Sequence, residues 1–282
     1  MTIIAQFSDI HIRAEADGSI NEEPVGALRA AIASLLALPE RPECAVLTGD
    51  LTEHGRPDEY AALRATLAEL PIPVHPVAGN HDDRAALRAA FADHAGLAAS
   101  NGAGADGPPH RRDGSADGAG FVQYAIDVGD VRLVCCDSTV PGEPGGALTD
   151  GRLAWLDATL AAEPGRPTLV AMHHPPYRLG IRWIDEMRLA DSDAFAAVLR
   201  RHPQVVRVLC GHVHRGSVSS FAGSVAVTCP STYQQLRLDL GPPGRGAITD
   251  EAAGYAVHLV DGDSAVTHFA RVGDFDPVVE FD

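Results

Sequence analysis

Long apolar runs are missing from this 282-residue chain: no stretch reaches the roughly 18 residues that a membrane-spanning helix requires. The first residues, Met-Thr-Ile-Ile-Ala-Gln-Phe-Ser-Asp, hold neither a basic segment nor a long apolar core, so they do not resemble a secretory signal. Both absences favour a cytoplasmic protein with no membrane partner.

Cysteine is scarce, and its count is odd. The five cysteines are Cys44, Cys135, Cys136, Cys210 and Cys229, and most lie inside apolar, strand-like runs. Their spacing matches no zinc–thiolate site. We therefore expect buried free thiols in a reducing compartment rather than a disulfide framework.

Basic residues are outnumbered, because 22 lysines and arginines face 38 aspartates and glutamates, which gives a formal net charge of −16. Such a surface repels DNA, RNA and anionic membranes, so the charge argues against a polymeric nucleic-acid partner and against a nuclease. A small anionic substrate is compatible with this surface, since bound cations can reverse the field inside a pocket.

Hydrophobic residues make up 45% of the chain, and apolar runs alternate with segments of helical periodicity. This alternation predicts an α/β fold with right-handed crossovers and a mainly parallel sheet. The predicted strands are 3–8, 44–48, 74–78, 121–128, 131–137, 168–172, 205–210, 216–221, 223–228, 255–260 and 264–271. The predicted helices are 24–38, 57–70, 84–94, 150–162 and 192–202.

Residues 100–120 interrupt the alternation, because they are dense in Gly, Asp and Pro and show no hydrophobic period. We expect a surface loop there, either an insertion or a lid. We find no internal repeat and no clear domain boundary, although residues 240–254 could link a small C-terminal appendage.

Polar residues gather where the predicted strands end, which is where α/β proteins place their chemistry. All are carboxylate, amide or imidazole donors of the kind that suits Zn, Mn, Fe, Co or Ni. They are Asp9, His11, Asp50, Asn80, His81, His173, His212 and His214. In an extended chain, residues two apart such as Asp9 and His11 would point to the same face. Glycines precede Asp50, Asn80 and His212 and allow tight turns.

These blocks resemble those of the calcineurin-like metallophosphoesterase superfamily. The resemblance rests on Asp9-x-His11, Gly49-Asp50, Gly79-Asn80-His81-Asp82, His173 and Gly211-His212-x-His214. The blocks occur in the family's order between residues 9 and 214, about three-quarters of the chain. Two looser segments, His173-His174-Pro175-Pro176 and Cys229-Pro230-Ser231-Thr232, are most similar to the class III cyclic-nucleotide phosphodiesterases and the related glycerophosphodiesterases.

The resemblance implies a four-layer α/β/β/α sandwich. Residues 1–240 would form the catalytic domain, and residues 241–282 would form a C-terminal extension with a hairpin. That extension is expected to be part of the same domain or an oligomerisation element. Members of this family often form dimers or larger assemblies, so the resemblance also implies a homo-oligomer.

Two metal ions, divalent or trivalent and drawn from Mn, Fe, Zn or Co, are implied as well. The ligands implied for the first metal are Asp9, His11 and His214, those for the second are Asn80, His173 and His212, and Asp50 bridges the two. Asp50 and His81 would be catalytic. His81 would lie close to the substrate phosphate, as an electrostatic stabiliser or as proton donor to the leaving group.

Other polar or aromatic residues near these blocks have open roles. Asp82 would orient His81 or cap the following helix. His174 is expected in the substrate pocket or as a support behind the ligands. Glu53 is interpreted as a solvated loop residue. Trp183 lies in a predicted loop, where it would contact the leaving group, pack or face solvent.

The expected activity is hydrolysis of a small phosphodiester, such as a cyclic nucleotide, a glycerophosphodiester or an aryl diester. Two adjacent metal ions would clamp the phosphate and lower the pKa of a bound water to about 7, which makes hydroxide available at neutral pH. The alternatives are a phosphomonoesterase, including a nucleotidase, and a non-catalytic metal-binding scaffold. A scaffold would be expected to have lost ligands, and here every expected block is present.

Overall fold

Two large sheets with helices on their outer faces form the fold. We describe it from a computed structural model that covers residues 1–98, 120–242 and 246–273, together with residues 275 and 279. The predicted loop at 100–120 lies outside these residues, apart from Gly120.

The helices are α1 (Glu22–Leu36), α2 (Pro57–Leu67), α3 (Arg84–Ala90), α4 (Asp150–Ala161), α5 (Arg182–Asp185) and α6 (Ser192–Leu199). The strands are β1 (Thr2–Phe7), β2 (Cys44–Thr48), β3 (Val74–Val77), β4 (Tyr124–Val128), β5 (Val131–Cys135), β6 (Thr168–Ala171), β7 (Val205–Cys210), β8 (Ser217–Phe221), β9 (Ser224–Thr228), β10 (Gln235–Leu236), β11 (Ile248–Thr249), β12 (Gly254–Asp261) and β13 (Ser264–Arg271).

The first sheet has the strand order β13-β12-β1-β2-β3, and the second has the order β4-β5-β6-β7-β9-β8. Strands β1, β2 and β3 run parallel, as do β5, β6, β7 and β9. Antiparallel pairs complete both sheets through β12 and β13 in the first, and through β4 and β8 in the second. The parallel core was predicted, but it is divided between two sheets.

Successive side chains along the strands of the second sheet pack alternately into two different cores, and these cores separate the layers of the fold. Leu133 and Cys135 of β5 pack into the core shared with the first sheet, whereas Val134, between them, packs on the helix side. In β6, Leu169 faces the first sheet and Val170 faces the helices. Since successive side chains of a strand point to opposite faces, this pattern places the second sheet between the first sheet and helices α4 and α6. The predicted α/β/β/α sandwich is confirmed.

Side-chain caps explain where several helices begin. Asn21 accepts from the backbone N–H of Glu23 at the start of α1, and Asp83 accepts from that of Ala86 at the start of α3. Asp191 occupies the N-cap position of α6, as predicted, but its carboxylate accepts from the backbone N–H of Leu148 (3.2 Å). It thereby ties α6 to the segment before α4.

The sequence analysis did not predict three short elements. Helix α5 has four residues, and β10 and β11 have two residues each, so none of them is long enough to show a hydrophobic period. The prediction for α2 was too long, because the residues after Leu67 continue as tighter turns, with the N–H of Leu70 bonded to the carbonyl of Leu67.

A buried glutamine links the two sheets and the C-terminal hairpin. The side-chain amide of Gln6 donates to Thr48 Oγ1 in β2 and to the carbonyl of Cys210 in β7, both at 2.9 Å. Its carbonyl oxygen lies 3.0 Å from Nε2 of His258 in β12. The hairpin of β12 and β13 thus extends the first sheet alongside β1. Its role in oligomerisation stays a prediction.

All five cysteines are buried and unpaired, and burial raises the pKa of Cys135 to about 12. Such thiols contribute to the core as small apolar side chains. Among the described residues, no helix combines the length and the hydropathy that crossing a membrane would need.

Candidate metal centre

The predicted ligands lie just beyond strand ends, and both sheets contribute to them. The first sheet supplies Asp9, His11, Asp50 and Asn80, which follow β1, β2 and β3, and the second sheet supplies His173, His212 and His214, which follow β6 and β7. The structure therefore brings all seven together at the end of the sandwich where the parallel strands of both sheets have their carboxyl ends.

Five of these residues have left-handed backbone conformations, so the expectation of an extended chain at these positions was wrong. Their φ angles are 52° (Asp9), 54° (His11), 50° (Asp50), 73° (His212) and 48° (His214). Non-glycine residues rarely adopt such angles, and each carries a conformational cost of about 1–3 kcal/mol. The strain is concentrated at the turns that aim the donors inward.

Backbone hydrogen bonds between the turns stabilise these conformations. The N–H of Asp9 donates to the carbonyl of Gly49 (3.1 Å), and that of His11 donates to the carbonyl of Asp50 (3.0 Å). Across the two sheets, the backbone N–H of His212 donates to Oδ1 of Asp9 (2.9 Å). The turns therefore support one another, which is how a strained conformation persists.

The first group of donors is Asp9, His11 and His214, whose ligand atoms lie within 4.8 Å of one another. His11 Nδ1 donates to the carboxylate of Glu53 (2.8 Å), and His214 Nδ1 donates to the carbonyl of Gln234 (2.7 Å). In a neutral imidazole, the other nitrogen then carries a lone pair. The two Nε2 atoms face each other at 3.1 Å, an arrangement that a cation between them would satisfy.

The second group surrounds His173. Its Nδ1 donates to the carbonyl of Thr48 (2.7 Å), which leaves the lone pair on Nε2. That Nε2 lies 3.1 Å from Asn80 Oδ1, 3.2 Å from His212 Nδ1 and 3.3 Å from Asp50 Oδ2. Asp50 Oδ2 also lies 3.8 Å from His11 Nε2, so this carboxylate stands between both groups.

A buried carboxylate oxygen completes the case for cations. Asp9 Oδ2 is shielded from solvent and has no hydrogen-bond partner among the described residues. A buried polar atom without a partner costs free energy, and metal coordination is one way to satisfy it. The residues present therefore fit a centre that holds metal ions.

Asp50 and His173 shift each other's pKa, so Nε2 of His173 must release its proton before it binds a cation. Burial raises the pKa of Asp50, but the charges of His173 and His11 outweigh burial and hold that pKa well below its usual range. Burial lowers the pKa of His173, but the carboxylate of Asp50 outweighs it and raises that pKa to about 9. Burial lowers the pKa of His174 to about 3, so His174 is neutral.

Glu53 is a functional candidate that the sequence analysis missed. Its carboxylate accepts from His11 Nδ1, and its backbone carbonyl lies 3.0 Å from His81 Nδ1. A carboxylate bonded to the outer nitrogen of a ligand histidine fixes the ring's tautomer and orientation. The only signal was its position three residues after Asp50.

Asp82 has neither of its predicted roles. Its carboxylate accepts from the backbone N–H groups of Leu51 and Thr52, at 3.1 and 3.2 Å, and from the hydroxyl of Tyr60 at 2.8 Å. Asp83, rather than Asp82, caps α3. Asp82 therefore secures the turn that carries Asp50.

His174 lies behind the ligands, with its ring centroid 4.8 Å from that of His173. Its Nδ1 lies 2.8 Å from the hydroxyl oxygen of Ser138, and its Nε2 lies 3.2 Å from the carbonyl of Pro144. The side chain is fully buried, so this position favours the supporting role over the substrate pocket.

A cavity of about 400 Å³ opens over the two groups. Its floor includes His11, Asp50, Asn80, His212 and His214, and the half-exposed His81 stands at its side. A larger cavity of about 680 Å³ lies at the opposite end of the first sheet, beside the first residues of β2 and β3, and contains none of the predicted ligands.

Comparison with known proteins agrees with the geometry. Residues 2–216 match the family model described as calcineurin-like phosphoesterase. The chain belongs to this family. The matched residues include every predicted ligand, from Asp9 to His214.

Relatives and one solved structure resemble this phosphoesterase over most of its length. A glycerophosphodiester phosphodiesterase of Enterobacter lignolyticus is 34% identical over 235 residues, covering 83% of this chain and 78% of the relative. A 3′,5′-cyclic adenosine monophosphate phosphodiesterase of Pseudomonas aeruginosa is 27% identical over 285 residues, covering 99% of this chain and 93% of the relative. A dimetal phosphatase from Danio rerio shares the fold, with a TM-score of 0.66, 17% identity and 97% coverage of both chains.

Close backbone approach makes Gly79 essential to this phosphoesterase's metal centre. A Cβ at position 79 would collide with the backbone nitrogen and carboxylate of Asp50, whose Cγ would be 2.9 Å away. We expect Gly79→Ala to lower the free energy of unfolding by about 1–3 kcal/mol and to weaken metal binding, because Asp50 must move. Urea unfolding of the metal-free protein and metal titration would measure both effects.

Gly26 provides the matched control. It lies inside α1, and an added Cβ there would meet no atom within 4 Å. Gly26→Ala should therefore raise the free energy of unfolding by about 0.5–1 kcal/mol without changing metal binding. A Gly79→Ala protein with wild-type stability and metal affinity would contradict this account of the turn.

Proposed function

We propose that this protein hydrolyses small phosphodiesters at a dinuclear metal centre. The observation that carries the proposal is the pair of donor groups on either side of Asp50, whose Oδ2 lies 3.8 Å from His11 Nε2 in one group and 3.3 Å from His173 Nε2 in the other. The relatives named as glycerophosphodiester and cyclic-nucleotide phosphodiesterases support the same activity.

The proposed ligands are those of the two groups described above. Asp9, His11 and His214 would hold one metal ion, Asn80, His173 and His212 the other, and Asp50 would bridge them. Bound there, two ions drawn from Mn, Fe, Zn or Co would supply Lewis-acid polarisation of the phosphate and a water of lowered pKa. Glu53 would keep the Nε2 lone pair of His11 directed at the centre.

His81 would act on the substrate from the cavity wall. Its backbone N–H donates to Asp50 Oδ1 (2.9 Å), and its Nδ1 donates to the carbonyl of Glu53. These two bonds fix the ring beside the floor of the cavity and leave Nε2 for the substrate. From there it would stabilise charge on a phosphoryl oxygen or pass a proton to the leaving oxygen.

The walls of the cavity favour a diester over a monoester. One side is apolar and carries Trp183, Ile184, Met187 and Leu236. Arg13 is the cation that lines the remainder. A diester carries one negative charge and a second organic group, which an apolar wall can contact. A monoester dianion has a second negative charge in place of the second organic group, so contact with an apolar wall stabilises its binding less.

Paired model substrates test this proposal. Metal-stripped protein resupplied with manganese should hydrolyse bis(p-nitrophenyl) phosphate with a higher kcat/KM than p-nitrophenyl phosphate. The control is Asn80→Ala, which removes one proposed ligand and should lower the diester rate by about 10²-fold or more. Activity on the monoester alone would assign the protein to the phosphomonoesterases. Two bound metals without activity on either ester would favour a scaffold.

A further inference from the structure

Trp183 is a large aromatic side chain that stands exposed at the mouth of the metal-centre cavity. It belongs to α5, it is 43% exposed, and it lines the same cavity as the floor residues His11 and Asp50. Covering exposed apolar surface with a ligand is favourable. Because Trp183 lines the cavity that contains the proposed ligands, its exposed surface can contact a molecule that enters.

Gly246 determines where the indole lies. A Cβ at position 246 would be 2.6 Å from both Cε3 and Cζ3 of Trp183, so the six-membered edge of the ring rests against the glycine backbone. No larger residue could stand there without displacing the ring. Gly246 thus holds one edge of the indole, and Trp183 still lines the cavity.

The residues around Trp183 pack against the loop that carries the proposed metal ligands His212 and His214. Ile184 of α5 and Leu236 of β10 pack into a small buried cluster with Val213. Val213 is the residue between His212 and His214, so the wall and the ligand loop share one packing unit. Asp185 secures the start of α5 by accepting from the backbone N–H groups of Leu179 (2.7 Å) and Gly180 (3.1 Å).

We propose that Trp183, supported by Gly246, is the specificity-determining residue of this enzyme and stacks against a flat aromatic group of the diester. The preferred substrates are then diesters with a nucleobase or an aryl group, and diesters with only alkyl alcohols are poorer. This inference rests on the proposed phosphodiesterase function. Stacking of a base on an aromatic side chain tolerates different ring systems, because each ring presents a π-face.

Kinetics on two natural-type diesters test the inference. For Trp183→Ala, kcat/KM on 3′,5′-cyclic AMP should fall about 10–100-fold, mainly through KM, because a stacking contact is lost. On glycerophosphoglycerol, which has neither an aromatic ring nor a cationic group, the change should stay within about twofold. Trp183→Phe should recover most of the cyclic AMP activity, and Gly246→Ala should resemble Trp183→Ala. Val218→Ala, which truncates an exposed apolar side chain on β8, is the control and should leave both substrates unchanged.

Binding provides a second readout that does not depend on turnover. The chain has two tryptophans, so a Trp155→Phe background leaves Trp183 as the sole indole reporter. In that background, 5′-AMP should quench the fluorescence of the manganese-loaded protein, and glycerol 3-phosphate should not.

The outcomes separate the two proposals. Equal losses on cyclic AMP and glycerophosphoglycerol, with no selective quenching, would overturn the role of Trp183 and leave the phosphodiesterase function intact. Quenching by 5′-AMP in a protein that hydrolyses no diester would overturn the function and retain the aromatic contact.

Discussion

Asp50→Asn should lower kcat for bis(p-nitrophenyl) phosphate by about 10³-fold or more. Asparagine has the same shape as aspartate and tolerates the left-handed backbone that position 50 requires (φ 50°), so the fold should survive. The substitution removes the negative charge that lies between the two donor groups. A loss of about 4 kcal/mol of transition-state stabilisation corresponds to this factor. Steady-state kinetics with manganese, together with elemental analysis, would measure the effect.

Asp83→Asn is the matched control for this experiment. Asp83 also lies near the centre, but its carboxylate caps α3, a role that asparagine fills equally well. Its kcat should stay within about twofold of the wild type. An Asp50→Asn protein that keeps two metal ions and normal turnover would refute the bridging role.

Removal of metal should lower the thermal midpoint by roughly 10–20 °C relative to the manganese-loaded protein. A cation would satisfy the Nε2 atoms of His11 and His214, which lie 3.1 Å apart, and the buried Asp9 Oδ2, which has no partner among the described residues. Filling each site at 100 times its Kd contributes about 2.7 kcal/mol of stability. Differential scanning calorimetry before and after chelation would measure the shift.

The same scans on Asp50→Asn serve as the control. That variant should show a much smaller shift, because its centre has lost the carboxylate common to both sites. Equal midpoints for stripped and loaded wild-type protein would show that the donor groups bind no metal under these conditions.

Prediction from sequence succeeded for buried strands that end at a glycine. Strands β2 and β7 begin and end at the predicted residues, because each is an apolar run closed by glycine and a polar donor. The ligand positions followed from the same rule, since Asp50 and His212 come directly after those glycines.

Prediction failed where packing between distant segments decides the conformation. The left-handed turns at Asp9 and His11 depend on hydrogen bonds to the backbone of residues 49 and 50, which leave no local pattern in the sequence. The sequence assigned Asp82 to its neighbour His81 or to the next helix, but Asp82 accepts from the backbone N–H groups of Leu51 and Thr52, which lie 31 and 30 residues away. Helix α5 was too short to show a period.

The amino-acid sequence by itself determined the chemistry of the donors, their order and their placement after strands, because these depend on residue type and on local hydrophobic pattern. Tertiary structure alone decided which donors meet. His11 and His214 are 203 residues apart, and they face each other only because the two sheets pack face to face, with the carboxyl ends of their parallel strands at the same end of the sandwich. Two further contacts, between Glu53 and His11 and between Trp183 and Gly246, also depend on the folded geometry rather than on spacing along the chain.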